Sequence, residues 1–421
     1  MFERYFLEEL GISKKDFFIV FDLLLNAFIW YYMTLSTINN ISSNLAFTDL
    51  QTLIVLAVYY VAITGSSIAG SILSDKIARL HFLYLWMIFG AATSLLPIMF
   101  NNISIIHFLI TCVLWGVSFG VGMPSCLAYF ADCSLVENRG RVGGTIFLIT
   151  MINFLPVAIF FGSLRFNMTA NYMILMTWRV LGLIVFFLLK PEEKFSPEVR
   201  KHISFASVFQ NRNFVLYFIP WLMFCLVERF EEYVVIDYLK TFFEAEGFYI
   251  FVQMTGLTIG SLFAFIGGVL SDWVGRKRIV ILGFIALGLA YATIGIAPKI
   301  LFSWYLYAIV DGIAWGVFFV SFILILWGDL SQLGAKEKYY MIGNIPFFLT
   351  GIMQLVSAPY VKIPASSAFS LASFFLFVAV LPLMYAPETL SEKKIELRRL
   401  KKYVEKAKRV KEKYVRGGAK G

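Results

Sequence analysis

Apolar residues in this chain gather in long runs instead of alternating with polar ones. Twelve runs stand at 17–39, 50–73, 81–100, 104–130, 142–163, 169–189, 213–236, 247–271, 277–297, 301–328, 338–360 and 364–386. A hydrocarbon layer about 30 Å thick is crossed by about 20 apolar residues in a helix. The runs lack the period-two pattern of a barrel strand, so each predicts a spanning helix. Mostly short polar connections make successive helices antiparallel. The expected fold is all-α, a polytopic membrane protein with 12 transmembrane helices.

Composition agrees. The chain is 59% hydrophobic and only 15% charged, with mean hydropathy +0.77, whereas an ordinary soluble domain is about 25% charged. This excludes a soluble enzyme, a disordered chain and a secreted disulfide scaffold. The cysteines, Cys112, Cys126, Cys133 and Cys225, form no CxxC pair, and His81, His107 and His202 are scattered. No metal, cofactor or nucleophile–base constellation is expected, hence no enzyme. With the N-terminus inside, 30 of the 36 basic residues fall in cytoplasmic segments or at the cytoplasmic ends of spans. Four fall outside, Arg165, Lys240, Lys299 and Lys362, and two within spans, Arg179 and Arg229. The positive-inside rule then predicts a multi-pass protein of the cell membrane with both termini cytoplasmic. The first run is too long for a signal-peptide core and has no small-residue cleavage site after it, so it is expected to stay in the mature protein.

The two halves of the chain echo each other. Asp75 follows the second span and Asp272 the eighth, 197 residues on; Asp132 and Arg139 close the fourth span, Asp329 and Lys336 the tenth, again at 197. Pro191-Glu192 and Pro387-Glu388 follow the sixth and twelfth spans at 196, and Trp115-Gly116-Val117 matches Trp315-Gly316-Val317 at 200. Pairs at one offset, at corresponding helix ends, predict a duplicated six-helix unit, as in transporters built from two halves.

Gly268-Val269-Leu270-Ser271-Asp272-Trp273-Val274-Gly275-Arg276-Lys277 resembles the loop signature G-x-L-x-D-x-x-G-R-K of the major facilitator superfamily. The copy after the second span is altered, with Ser71, Ala78 and Leu80 at its first glycine, second glycine and last basic positions. The acid-x6-base pairs and Pro387-Glu388-Thr389 resemble the sugar-porter branch, although Tyr217–Glu232 lacks the glutamine-rich sugar signature. The resemblance spans residues 17–390. It implies two pseudo-symmetric six-helix bundles, residues 1–190 and 213–386, working by alternating access. Independently of the family, acids and bases at helix ends can pair with neighbouring helices or helix N-termini and shut one face in one state. Asp75, Arg79, Asp132, Arg139, Asp272, Arg276, Lys277, Asp329 and Lys336 are the expected cytoplasmic gate.

Residues 191–212 are a polar linker. Residues 387–421 form a cationic tail. In residues 391–421, 13 Lys or Arg stand against four Glu, and Leu397, Leu400, Val404, Ala407 and Tyr414 recur at near-helical steps. That pattern suits an amphipathic helix on anionic lipid of the inner leaflet, in preference to nucleic acid.

Ionisable groups inside a bilayer are costly and face a cavity or a partner. The candidates for solute binding or coupling are Asp22, Asn26, Arg179, Glu228, Arg229, Asp311, Asn344 and Gln354, with Gln253 as a further hydrogen-bonding group. Asp22 lies near the membrane boundary; Arg179 and Asp311 lie near the midplane. Glu228, Arg229, Glu231 and Glu232 either continue the seventh span or form an external rim. Arginines inside spans point to an anionic or zwitterionic solute, and carboxylates to coupled protons. No ATP-binding signature occurs, so gradients would drive transport. The expected activity is secondary transport of a small polar solute by a monomer. A sugar facilitator, or a receptor on the same scaffold, is the alternative.

Overall fold

A computed structural model describes residues 10–99, 104–163, 167–194, 203–242, 246–331, 335–357, 363–390 and 400. Twelve long helices occur among them, numbered here in chain order. The first six are α1 (Lys14–Asn44), α2 (Asp49–Leu73), α3 (Arg79–Leu95), α4 (Ile105–Cys133), α5 (Arg139–Ser163) and α6 (Met168–Leu188). The second six are α7 (Arg212–Phe242), α8 (Glu246–Val274), α9 (Arg276–Ile296), α10 (Leu301–Leu330), α11 (Lys336–Ser357) and α12 (Ala365–Tyr385). Ten of these are long and apolar enough to cross a bilayer; α5 and α11 are the other two. Among its described residues the linker carries one short helix, Phe205–Gln210. The cationic stretch after Leu390, apart from Leu400, lies outside the described residues.

Local sequence sets several helix starts. Ser13, Ser104 and Asn167 cap α1, α4 and α6, and Thr48 with Gln51 forms a capping box on α2, each supplying an acceptor to otherwise orphaned N–H groups. Helices α3 and α9 lack a side-chain cap of their own. Glu193 from the linker accepts from the N–H groups of Arg79 and Leu80, and Glu388 after α12 accepts from those of Arg276 and Lys277. By role, therefore, Glu193 and not Glu192 matches Glu388. The altered first loop copy also has a physical reason. Gly275 has φ +113°, where a Cβ would also meet the Glu388 carboxylate, whereas Ala78 sits at φ −55° and needs no glycine.

Each half repeats one packing scheme. Helix α2 packs on α4, α3 on α6 and α1 on α5 and α6; α8 packs on α10, α9 on α12 and α7 on α11 and α12. The close crossings use Gly120 against the Ile63 carbonyl and Gly316 against the Gly260 carbonyl; a Cβ at either glycine would come within 2.2 Å of that oxygen. The equivalent of Gly316 is thus Gly120, not the Gly116 of the Trp-Gly-Val match. The halves meet where α5 packs on α8 and α2 on α11, with α4 also touching α11. Helix α10 is not uniform: Phe319–Ile325 form a π-helical stretch, a departure from the α-ladder common at functional sites.

Candidate functional site

Two features lie between the halves: a face of ion pairs at one end and a cavity nearer the centre. At the ion-pair face Arg139 of α5 reaches Asp329 of α10, and Lys336 of α11 reaches Asp132 of α4. Lys338 Nζ lies 2.6 Å from Asp75, and Arg141 Nε 3.6 Å from Asp272. The spacing of 197 residues relates Asp75 to Asp272, Asp132 to Asp329, Arg139 to Lys336 and Arg141 to Lys338. Both kinds of bond therefore occur twice, as a two-fold relation demands. Within each half Arg79 also holds Asp132 and Arg276 holds Asp329. Asp272 accepts from the N–H groups of Gly140 (3.0 Å) and Arg141 (2.8 Å), so its carboxylate caps α5 from the opposite half.

The two sides are not identical. Arg79 donates to Glu337 of α11 through Nε (2.9 Å) and Nη2 (2.6 Å). The residue 197 positions before Glu337 is Gly140, which packs backbone to backbone on Gly268. One crossing is thus tight and glycine-lined, while the other, where Ser71 replaces the motif glycine, carries an additional buried ion pair. Of the residues expected at this gate, Lys277 stands apart: its Nζ donates to the Met384 carbonyl within its own half. Arg141, Glu337 and Lys338 also take part in these interface pairs and were not among the expected gate residues, although Arg141 and Lys338 stand at the 197-residue offset.

A cavity of about 360 Å³ lies between the halves. From the first half it takes Phe28, Tyr31, Tyr32, Phe119, Phe147 and Phe154; from the second, Tyr307, Trp315, Phe319, Phe347 and Phe348. Phe319 of the π-helical stretch touches Phe28 (6.3 Å between centroids) and Phe147 (4.7 Å), and Phe348 touches Tyr31 and Phe119. These rings join the halves across the cavity. Polar groups on its wall are few, with Gln253, Asp311 and Asn344 among them.

Of the expected solute-binding residues, Asp311 and Asn344 line this cavity. Asp22, Asn26 and Arg179 do not; they are buried inside the first half. The Arg179 guanidinium lies 4.5 Å from the ring centroid of Trp30 and 4.7 Å from that of Trp86, and donates to Asn26 Oδ1 at 2.9 Å. Its place is between α1, α3 and α6, so the anion-holding role read from the sequence has no geometric basis here. Glu228 and Glu231 are buried, and α7 runs on to Phe242. Helix α7 thus does not end before this cluster, the early stop on which the external-rim reading rested. Tyr291 donates toward both Glu228 Oε1 (2.7 Å) and Glu231, and Trp315 Nε1 donates to Glu228 Oε2 at 2.8 Å. These carboxylates thus stand one layer behind the cavity wall. Arg229 stacks on Phe347, 5.5 Å from the centroid. The side chain of Gln354 lies outside the described residues. The aromatic lining went unrecognised in sequence because the lipid-facing positions are equally rich in phenylalanine.

Residues 19–328 match the family model described as Major Facilitator Superfamily. Among solved structures, the proton:xylose symporter XylE, bound to 6-bromo-6-deoxy-D-glucose, aligns with TM-score 0.70 and 14% identity, over 91% of this chain and 99% of that one. The human organic anion transporter MFSD10 (TETRAN) aligns with TM-score 0.62 and 14% identity, over 87% and 98%. At that identity the likeness is one of fold. No curated protein matches the chain by sequence.

Proposed function

The chain belongs to the major facilitator superfamily, and from that premise we propose that it is a secondary transporter moving a small organic solute by alternating access. One observation carries this reading: the cavity is lined from both halves, while a two-fold-related set of ion pairs joins the same halves at one end. We assign the ion-pair face to the cytoplasm, on the positive-inside bias, so the cavity is shut from that side. Two bundles, 1–190 and 213–386, rock about the cavity; the tail meets anionic lipid; and the protein works as a monomer.

Ion pairs suit a gate. Burying such a pair costs several kcal/mol per ion in desolvation, which the mutual attraction roughly offsets. Opening the face returns the charges to water, so the open and closed states stay close in free energy and a solute can shift them.

Proton coupling has its own support. A tyrosine hydroxyl carries one proton, so where Tyr291 meets both Glu228 and Glu231 a proton on one carboxyl would complete the second contact and lower the repulsion between the two. A buried pair of carboxylates that can take up one proton beside the cavity wall suits a proton gradient as the driver.

The test is reconstitution into proteoliposomes with a pH gradient and a solute panel. Solute accumulation that collapses with an ionophore is expected. Binding with no flux for any bound solute would leave a receptor on the same scaffold.

A further inference from the structure

The cavity's lining is informative about charge and shape. Eleven of its 24 lining residues are aromatic, so most of its surface offers ring faces, which attract flat apolar groups and cations. Among the described residues the wall contains no Lys, Arg or His, and its one charged member is Asp311. Asp311 stands on α10 between Tyr307 and Trp315, four residues from each, so the three share one helix face. Trp315 is tied to Glu228 behind it, and Glu231 lies next to Glu228 through Tyr291. The second-half wall therefore has three carboxylates on or just behind it, against one guanidinium, Arg229, which stacks on Phe347. Even with one proton shared by the two glutamates, this wall stays negative or neutral.

An anion placed here would face Asp311 without a lining cation. A sugar would leave many hydroxyls against rings, since among the described residues Gln253, Ser261, Asp311 and Asn344 are the polar side chains on the wall apart from the tyrosines and Trp315; Ser261 already donates to the Leu257 carbonyl and Trp315 to Glu228. A volume of about 360 Å³ lies at the lower end of small-ligand pockets. We propose that this cavity takes an organic cation, an amine or quaternary ammonium carried on a flat apolar body, with the cationic group at Asp311 and the body among the rings of Tyr31, Phe319 and Phe347. The proposal rests on the transporter reading only in taking this solute as the cargo.

The probe is a charge series on one ring: 2-phenylethylamine, 2-phenylethanol and 3-phenylpropanoate, with benzyltrimethylammonium as a cation that cannot lose a proton. Binding to the purified full chain is measured by calorimetry at neutral pH. The two cations are expected to bind at least tenfold more tightly than the alcohol, and the carboxylate more weakly than the alcohol. Asp311→Asn is expected to bring amine and alcohol within about threefold of each other without abolishing the alcohol. Equal or tighter binding of alcohol or carboxylate by the unmodified protein overturns the proposal, and that result needs no variant to fold. Flux separates this inference from the transporter reading. Cations that bind but never cross proteoliposomes leave the site standing and remove the transport role. A carboxylate or sugar that is carried, with no cation binding, leaves transport standing and removes the cation site.

Discussion

Replacing Asp272 by asparagine removes one charge from the place where the two halves hold each other. The carboxylate is 1% exposed. Its two oxygens accept from the N–H groups of Gly140 and Arg141, and it faces the guanidinium groups of Arg276 (3.3 Å) and Arg141 (3.6 Å). Asparagine keeps the shape but offers a single acceptor oxygen, so one backbone donor of α5 meets an NH2 group. The net loss is a charge-assisted bond of about 1.5–3 kcal/mol plus a helix-end interaction of about 0.3–1 kcal/mol. Most of it falls on the closed arrangement, because water replaces these contacts once the halves part. We expect a shift of about 2–4 kcal/mol toward the open face, a change of roughly 30- to 1,000-fold in the population ratio. Spin labels at Lys76→Cys and Trp273→Cys, both exposed and 197 positions apart in the repeat, report the separation by pulsed electron resonance, with Cys133→Ser removing the half-buried native thiol. A longer distance should become the major population in the Asp272→Asn protein. An unchanged distance distribution in protein that still folds would falsify the gating argument.

Other expectations follow from the same geometry. Asp75→Asn should shift the equilibrium less than Asp272→Asn, since the Asp75 side chain is 13% exposed and better screened; the same labels measure it, and an equal or larger shift refutes the ranking. Gly275→Ala should lower the melting temperature clearly, by a loss of more than about 1 kcal/mol from strain at φ +113° and collision with Glu388. Ala78→Gly at φ −55° should cost at most about 1 kcal/mol, and thermal unfolding in detergent distinguishes the two. Arg179→Gln should leave the affinity for any bound solute within twofold, because Arg179 is packed among Trp30, Trp86 and Asn26; a tenfold loss in calorimetry would return it to the binding site. For topology, Lys299→Cys should react with an impermeant thiol reagent on intact cells and Lys76→Cys only after permeabilisation, both positions being exposed; the opposite pattern inverts the protein in the membrane.

What could be read in the sequence was what two-fold repetition writes twice. Asp75 and Asp272, Asp132 and Asp329, Arg139 and Lys336 stand 197 residues apart because each bond across the interface has a partner bond by symmetry, and charges are rare enough in an apolar chain for the offset to be seen. Glu193 shows the limit of that method. It does in the first half what Glu388 does in the second, yet an adjacent Glu192 at the more regular Pro-Glu spacing hides it. Arg179 shows a different limit. Its depth in the membrane is legible, but depth does not say whether a helix turns the residue toward the interface or toward its own bundle.

The cavity was hidden for a related reason. In water, an aromatic run marks a core. In lipid, Phe374 and Phe187 are exposed to the bilayer side while Phe319 and Phe347 line the central space, and composition cannot separate them. The asymmetry of the ion-pair face bears on the same question. Ser71 and Glu337 occupy the positions that Gly268 and Gly140 occupy on the other side, so the altered motif is compensated across the interface and not merely worn. The α5–α8 crossing is pinned by backbone contact, while beside the α2–α11 crossing Arg79, at the start of α3, holds Glu337 of α11. Side-chain bonds can lengthen and take up water one at a time, whereas a glycine–glycine contact is lost as soon as the helices separate. Opening should therefore begin at the α2–α11 crossing, with α5 and α8 keeping contact longest. That order predicts that Glu337→Gln eases opening while leaving the Gly140–Gly268 contact intact. In the pulsed-resonance assay Glu337→Gln should raise the population of the longer distance. If the distance distribution is unchanged in Glu337→Gln protein that still folds, opening does not begin at this crossing and the order is wrong.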